Sequence, residues 1–239
     1  MRILEGTGVS KNFGGLAAVT NVDFYVDRGE ILGLIGPNGA GKTTLFNLIT
    51  GALAAKSGEI KFNDRSISGL RPHDICRKGV ARTFQSVKIF GDMTVLEHVL
   101  LASNFGSAGR IPAKDIKKEA LEILDFVGLS GMENMRAHDL TLPRQKRLEV
   151  ARALATKPQV LMLDELMAGL NPAEVGEAMQ LVTRIRDKGI TIIMIEHVMK
   201  AIMGICDHII VLHHGEKIAE GTPQEIATSK NVIEVYLGE

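Results

Sequence analysis

Short hydrophobic runs separated by turn residues predict β-strands in the first third of the chain. Hydrophobic residues occupy every second position of 21–26, which is typical of a strand with one buried face. The mostly apolar run at 30–35 is typical of a strand that is buried on both faces. A third strand is predicted at 58–62, with a turn at 63–64. Between the last two strands, apolar residues at helical spacing predict a helix over 42–50.

The middle of the chain is predicted to be helical. Thr94 and Glu97 have the spacing of a capping box, so a helix is expected to begin there and to reach Leu101. After a break rich in glycine and serine at 106–109, Pro112 is placed to open a second helix. The apolar stripe of that helix is formed by Ile116, Ala120, Ile123, Leu124 and Val127.

Strands and helices alternate in the last third, which predicts an α/β fold. Aliphatic runs at 160–163 and 190–195 predict buried parallel strands, with a helix at 172–186 between them. The segment 207–219 predicts a hairpin that turns at two histidines and a glycine. A capping box at Thr222 predicts that short helices finish the chain.

Composition agrees with a globular α/β protein. The chain has 239 residues, of which 45% are hydrophobic, enough for one large domain or for a main domain with a smaller one inserted. Its 28 basic and 28 acidic residues balance, whereas nucleic-acid-binding domains usually carry a basic excess. No apolar run has the length needed to cross a bilayer, and the first residues lack the apolar stretch of a signal peptide. Cys76 and Cys206 have no metal-ligand spacing, so reduced thiols are expected.

The segment 36–43 reads Gly-Pro-Asn-Gly-Ala-Gly-Lys-Thr and fits the phosphate-loop pattern, with a predicted strand before it and a helix after it. In such a loop the glycines let backbone N–H groups face inward around phosphates. The following helix adds the positive end of its dipole. Lys42 is expected to neutralise the β- and γ-phosphates, and the Thr43 hydroxyl to bind magnesium. A glycine-rich turn with an incidental lysine is the alternative, and the flanking elements disfavour it.

Two acids end the apolar strand at 160–163. Asp164 is placed to hold magnesium through water, and Glu165 to polarise the water that attacks the γ-phosphate. Acids often end strands, so the pattern is informative only because a phosphate loop precedes it. His197 follows the strand at 190–195, and parallel strands end at one edge of a sheet, so a γ-phosphate contact is expected. A structural role is assigned to His73, His98, His138, His208, His213 and His214.

In these motifs and in their order, the whole chain resembles the nucleotide-binding subunits of ABC transporters. The resemblance implies ATP hydrolysis with Mg²⁺ as cofactor, and Phe13 as the aromatic that stacks on adenine, although taken alone Phe13 fits a core aromatic better. It implies that Gln85 senses magnesium and faces a membrane partner, and that the loop 168–171 crosses to a second subunit. The implied nucleotide-binding residues are Phe13, Gly36, Pro37, Asn38, Gly39, Ala40, Gly41, Lys42, Thr43 and Thr44. The implied catalytic residues are Glu165, His197 and Gln85, and the implied metal ligands are Thr43, Gln85 and Asp164.

The fold that the resemblance implies is an α/β phosphate-loop ATPase core with an N-terminal antiparallel β region and an inserted helical subdomain. The core is expected to comprise residues 1–86 and 157–239, and the helical subdomain residues 87–156. Within the family the chain is most similar to the ATPase subunits of branched-chain amino-acid importers. That likeness is carried by residues 12–16, 81–85, 168–172, 195–197, 219–223 and 236–239.

This likeness implies partners and a location, and the identity of the solute rests on it alone. A membrane permease is expected to dock near Gln85, a solute-binding protein to act indirectly, and nucleic acid to play no part. The chain is expected at the cytoplasmic face of the inner membrane, held there through the permease. The apolar residues just after Gln85 are candidates for the docking surface or for ordinary core: Val87, Ile89, Phe90 and Met93.

The family signature, leucine-serine-glycine-glycine-glutamine before a helix, is altered in this chain. The corresponding residues are Leu140, Thr141, Leu142, Pro143 and Arg144, and the helix sequence at 147–154 fixes the register without a gap. Pro143 lacks an N–H, but proline is tolerated in the first turn of a helix, so a phosphate contact is expected to be lost while the helix forms. A different ATPase subunit with an intact signature is therefore the expected partner. Leu166 replaces the usual proline after the catalytic acid, with a mild effect expected.

Three alternatives stay open at this point. ABC ATPases that act on DNA or ribosomes usually carry a coiled-coil insertion or two cassettes, and this sequence has neither. A phosphate-loop kinase does not account for Gln85, His197 and the helix at 147–154 together. An inactive regulatory subunit is favoured only by the altered signature, since the catalytic residues are intact.

Overall fold

The computed structural model describes residues 1–106 and 113–237. Within this part of the chain the strands form two sheets. The strands are β1 (Arg2–Phe13), β2 (Leu16–Asp27), β3 (Ile31–Ile35), β4 (Ser57–Phe62), β5 (Arg65–Ser66), β6 (Val80–Arg82), β7 (Val160–Asp164), β8 (Thr191–Ile195), β9 (His208–His213) and β10 (Glu216–Gly221). The helices are α1 (Lys42–Ile49), α2 (Pro72–Lys78), α3 (Val95–Ser103), α4 (Ala113–Phe126), α5 (Leu142–Ala155), α6 (Pro172–Asp187), α7 (Met199–Ile205), α8 (Pro223–Thr228) and α9 (Lys230–Leu237).

The first sheet is antiparallel, in the order β2-β1-β4-β5. Its strand β2 contains the predicted strand at 21–26, and the three apolar residues of that segment are buried as the alternation predicts. The turn between β4 and β5 falls at Asn63 and Asp64, whose φ angles of +49° and +59° suit a two-residue hairpin turn. An N-terminal antiparallel β region is therefore confirmed.

The second sheet has the order β10-β9-β3-β8-β7-β6, and every neighbouring pair in it is parallel except β9 with β10. Both faces of this sheet are covered, because successive residues of β7 enter different hydrophobic clusters. Leu161 and Leu163 belong to one cluster, and Val160 and Met162 belong to the other. Burial on both faces explains the unbroken apolar runs that predicted these strands.

Helices α3, α4 and α5 lie in the chain between β6 and β7, where the sequence predicts a helical region. The predicted capping box is present: Glu97 N–H donates to Thr94 Oγ1 at 3.2 Å, and Thr94 N–H donates to Glu97 Oε2 at 2.7 Å. On α4 the predicted stripe is buried at Ala120 and Leu124. Pro112 and most of the predicted break lie outside the described residues. The subdomain boundaries at 87 and 156 stay a prediction.

Two features of the last third also match the sequence. Strands β9 and β10 form the predicted hairpin, and α8 begins at a capping box in which Thr222 Oγ1 accepts from Glu225 N–H. Helices α2 and α7 are not predicted by the sequence patterns. Among residues 1–106 and 113–237, no helix combines the length and the apolar character that a membrane span requires.

Candidate active site

The phosphate loop joins β3 to α1, and two of its glycines are required by close backbone approach. Gly36 has a φ of +148°, and a Cβ there would lie 2.1 Å from the carbonyl oxygen of Leu212. Gly41 has a φ of +102°, and a Cβ there would lie 2.5 Å from the carbonyl oxygen of Ala18. Any side chain at either position would displace backbone, so the loop keeps this curvature only with glycine.

Lys42, the first residue of α1, is buried beneath this loop. Its Nζ donates to the carbonyl oxygens of Gly36 at 2.7 Å and Pro37 at 2.9 Å. Burial lowers the pKa of Lys42, and the negative charges of Glu165 and Asp164 oppose that effect. A buried ammonium whose hydrogen bonds within the described residues all go to carbonyl groups is suited to receive an anionic ligand.

An open cleft of about 450 Å³ brings most of the predicted site residues together. Residues 38–44 of the phosphate loop and α1 form one wall. Phe13 at the end of β1 and residues 16–18 at the start of β2 form another. Gln85, Glu165 and His197 line the same cleft. Gly36 and Pro37 do not line it, but their carbonyl oxygens accept hydrogen bonds from Lys42 Nζ.

Phe13 lies in this wall of the cleft at the end of β1, and 47% of its surface is exposed. The alternative of a core aromatic is therefore wrong. Its ring is open to solvent, with Lys11 Nζ 5.5 Å from the ring centroid. An exposed aromatic face is what a stacking contact with a nucleotide base requires.

Glu165 connects the predicted catalytic residues. It follows β7 with a φ of +51°, and its N–H donates to the carbonyl oxygen of Ile195 on the neighbouring strand at 2.9 Å. Its Oε2 accepts from Gln85 Nε2 at 3.0 Å, and its Oε1 lies 3.0 Å from His197 Nε2. Both carboxylate oxygens are thus engaged by residues that are 80 and 32 positions away in the chain.

The backbone just after Glu165 is held by two buried charged residues that sequence reasoning missed. Lys146 of α5 donates through Nζ to the carbonyl oxygens of Glu165 at 3.0 Å, Leu166 at 2.8 Å and Ala168 at 2.6 Å. Glu196 Oε1 accepts from the N–H of Met167 at 2.8 Å, and burial raises the pKa of Glu196 to about 7. Neither residue belongs to a spacing pattern that reveals its partner. Buried Leu166 lies in this same clamped segment.

Asp164 lies behind the cleft wall, almost fully buried at 1% exposure. Its Oδ2 accepts from Arg82 Nη2 at 2.6 Å, and its N–H donates to Thr83 Oγ1 at 3.2 Å. Its Oδ1 has no hydrogen-bond partner among the described residues. A buried oxygen without a partner, with Thr43 and Gln85 in the adjacent cleft, fits a hard cation that takes oxygen ligands. In the described ranges no three His, Cys, Asp or Glu side chains form a metal site by themselves, so phosphates and water would have to complete the coordination.

The altered signature does not line this chain's own cleft. Thr141 precedes α5, Leu142 is the first helical residue and is 44% exposed, and Pro143 lies in the first turn. Arg144 is also exposed. The helix therefore forms with Leu142 and Pro143 in place, as predicted.

His214 is a residue of the cleft that the sequence did not reveal. It lies in the turn between β9 and β10, next to Gly215, whose N–H donates to the carbonyl oxygen of Ala40 at 3.1 Å. Thr20 N–H donates in turn to the carbonyl oxygen of Gly215 at 2.8 Å. The turn is thereby joined to the phosphate loop and to β2. Only the strand order, with β9 beside β3, brings it there.

Two family models match this chain. Residues 19–168 match the family described as ABC transporter. Residues 216–239 match the family described as branched-chain amino acid ATP-binding cassette transporter. The first match includes the phosphate loop, Gln85, the altered signature and Glu165.

Relatives over the full length give the same result. The high-affinity branched-chain amino acid transport ATP-binding proteins BraF of Pseudomonas aeruginosa and LivG of Escherichia coli are each 42% identical, covering 99% of this chain and 98% of the relative. The crystal structure of the ADP conformation of MJ1267, an ATP-binding cassette of an ABC transporter, superposes with a TM-score of 0.92 at 32% identity, covering all of both chains. A dimeric post-hydrolysis structure of the cassette MJ0796 with ADP and phosphate has a TM-score of 0.83 at 25% identity, covering 92% of this chain and 99% of that one. The chain belongs to the ABC transporter family, as one of its ATP-binding cassettes.

Proposed function

We propose that this chain binds and hydrolyses ATP as the nucleotide-binding subunit of an importer for branched-chain amino acids. The observation that carries the proposal is the cleft in which a phosphate loop with buried Lys42 faces Glu165 and His197. The solute is inferred from the full-length similarity to BraF and LivG.

Different residues of the chain have different roles in ATP binding and hydrolysis. The loop N–H groups and Lys42 hold the phosphates, and Phe13 stacks on the base. Thr43, Asp164 and Gln85 would hold magnesium, which would supply positive charge against the phosphates. Glu165 orients and polarises the attacking water through one carboxylate oxygen.

His197 and Gln85 control whether Glu165 is free for that role. In the observed arrangement each holds one of its oxygens at 3.0 Å. A γ-phosphate in the cleft offers His197 an alternative acceptor, and a bound cation would be held by the amide oxygen of Gln85, which would turn Nε2 away from Glu165. Filling the cleft would then release the carboxylate, which links water activation to the presence of the substrate.

An apolar groove of about 400 Å³ beside Gln85 is the proposed docking surface for the permease. Phe84 and Phe105 line it and are 44% and 54% exposed, which is unusual for large apolar side chains without a partner. Of the candidate residues after Gln85, Phe90 is exposed, whereas Ile89 packs partly against the core. Docking there would hold the chain at the cytoplasmic face of the inner membrane, and a solute-binding protein would act on it only through the permease.

A second, different ATPase subunit is proposed from the altered signature. In a homodimer, both nucleotides would face Leu142 and Pro143, and each would lack a backbone donor. The loss of one such donor to a charged acceptor is about 1.5–3 kcal/mol, roughly ten- to a hundredfold per site. Paired with a chain that has an intact signature, this chain's own phosphate loop can still form one complete site.

Reconstitution tests the proposal. The chain is combined in liposomes with the permease that copurifies with it from native membranes, the second ATPase subunit and the solute-binding protein. We expect leucine, isoleucine or valine uptake that needs ATP inside the compartment where this chain is located. Transfer of phosphate to an acceptor other than water, or ATP turnover that no permease and no branched-chain amino acid affects, would contradict it. An inactive regulatory role predicts uptake that survives loss of Glu165.

A further inference from the structure

Arg82 makes a buried contact with the proposed magnesium carboxylate. It ends β6, which lies parallel to β7, the strand that ends in Asp164. Its Nη2 donates to Asp164 Oδ2 at 2.6 Å, and the two side chains are only 8% and 1% exposed. This is an ion pair inside the protein, in which Coulomb attraction is screened far less than at the surface.

The same guanidinium also binds the helix that follows the phosphate loop. Its Nη1 donates to Asn47 Oδ1 at 2.6 Å, and Asn47 lies on α1, which begins at Lys42. The rings of Phe46 and Phe84 lie 5.4 and 5.5 Å from the guanidinium carbon and confine it. Arg82 is therefore fixed at both of its Nη atoms.

This arrangement determines which oxygen of Asp164 is available. Because Oδ2 is occupied by Arg82, the carboxylate cannot rotate without breaking a buried ion pair. Oδ1 is left without a hydrogen-bond partner in the described part of the chain. The fork of an arginine can engage an amide and a carboxylate at once, which the single ammonium of a lysine does less well.

We propose that Arg82 is a positioning residue that braces Asp164 against Asn47, so that Oδ1 is held at a fixed place relative to the phosphate loop, where it serves the magnesium ion. The inference rests on the proposed function for the assignment of Asp164 to magnesium. It assigns to Arg82 no contact with the nucleotide or the metal.

The test measures Mn²⁺ binding to the isolated full chain saturated with a non-hydrolysable ATP analogue, by the electron paramagnetic resonance signal of free Mn²⁺. For Arg82→Lys we expect about tenfold weaker Mn²⁺ binding, since residues that orient metal ligands typically contribute about 10- to 100-fold to affinity. Asn47→Leu, which leaves the Asp164 contact in place, should shift the affinity in the same direction by less. Affinity for the analogue in EDTA should stay within about twofold of wild type in both variants, which a general collapse of the cleft would not allow.

Two further variants complete the design. Arg28→Lys is the matched control, because Arg28 likewise donates through both Nη atoms to side-chain oxygens, here the amide oxygens of Asn63 and Gln159, but does so on the exposed surface. Asp164→Asn is the reference for loss of the metal ligand. If Asp164→Asn weakens Mn²⁺ binding and Arg82→Lys does not, the inference about Arg82 is wrong and the site assignment stands. If neither does, the assignment of Asp164 is wrong as well, and the inference falls with it.

Discussion

His197 Nε2 lies 3.0 Å from Glu165 Oε1, although the two residues follow different strands of the second sheet, β8 and β7. The contact exists because β7 and β8 are neighbours and parallel, so their carboxyl ends meet at the same edge. With Gln85 on the other oxygen, each oxygen of the carboxylate proposed to activate water has a hydrogen-bonding side chain beside it. We propose that a ligand in the cleft draws at least one of these partners away before hydrolysis.

Replacing Lys42 by alanine is expected to abolish useful nucleotide binding. The ammonium already lies buried at the loop, and its charge-assisted bonds to phosphate are lost, at a cost of about 1.5–3 kcal/mol or more for each charged contact. Isothermal calorimetry with ATP and EDTA measures the loss. Lys118→Ala, on the exposed face of α4 with Glu122 as its ion-pair partner, is the control and should bind as wild type. Unchanged affinity in Lys42→Ala would refute the role of the loop.

Phe13 is expected to stack on the base without hydrogen-bonding it, so ATP and GTP should bind with similar affinity. Every base has a π-face, and stacking of this kind contributes about 1–3 kcal/mol per base. Phe13→Ala should weaken both nucleotides by the same factor, as measured by competition with a fluorescent analogue. Phe105→Ala, an exposed phenylalanine outside the cleft, should leave both affinities unchanged. A Phe13→Ala chain that binds ATP as wild type would leave Phe13 without a role in binding.

Glu196 should make stability depend on pH around neutrality. Burial raises its pKa in the folded chain to about 7, above the ordinary value of 4.5. The folded state thus binds the Glu196 proton more tightly than the unfolded state does. The stability that protonated Glu196 contributes is fully present below pH 4.5 and is lost as pH rises through 7. Between pH 5 and 8 the loss is about 2–3 kcal/mol. Glu196→Gln can still accept from Met167 N–H but does not titrate, so its stability should lack this dependence on pH.

Urea unfolding of both chains at pH 5 and pH 8 tests this expectation. The free energy of unfolding should fall more between the two pH values for the wild type than for Glu196→Gln. Glu133→Gln serves as the control, because Glu133 also accepts from a backbone N–H but is only partly buried. Equal pH dependence in all three chains would contradict the effect of burial on Glu196.

The altered signature predicts that the pure chain is a poor ATPase and a poor dimer. Slow hydrolysis is expected from the chain alone, and activity is expected with the second ATPase subunit and the permease. In that complex Pro143→Gly should change the rate at this chain's own phosphate loop by less than about twofold, since the lost donor belongs to the other site. Brisk cooperative hydrolysis by the pure chain would contradict the asymmetric arrangement, and so would a large gain from Pro143→Gly at this chain's loop.

The sequence predicts those parts of the site that are local in the chain. The glycines around Lys42 and the Thr94 capping box depend on neighbouring residues, and both were found from spacing alone. The contacts of Lys146 with the loop after Glu165 and of Arg82 with Asp164 join residues 19 to 82 positions apart, and no local pattern encodes them. His214 lines the cleft because β9 lies beside β3 in the sheet. The order of elements along the chain does not predict that these two strands are neighbours.

The most direct test of the whole account is ATP turnover by the assembled transporter in which this chain carries Glu165→Gln. The amide keeps the size of the side chain but cannot serve as a general base, a role that contributes about 10²- to 10⁴-fold. We expect ATP to stay bound at this chain's phosphate loop, with phosphate release there slower by at least about 100-fold. Glu122→Gln, on the exposed face of α4, is the control and should turn over as wild type. Hydrolysis at this loop near the wild-type rate in Glu165→Gln would contradict the assignment of Glu165 and the mechanism built on it.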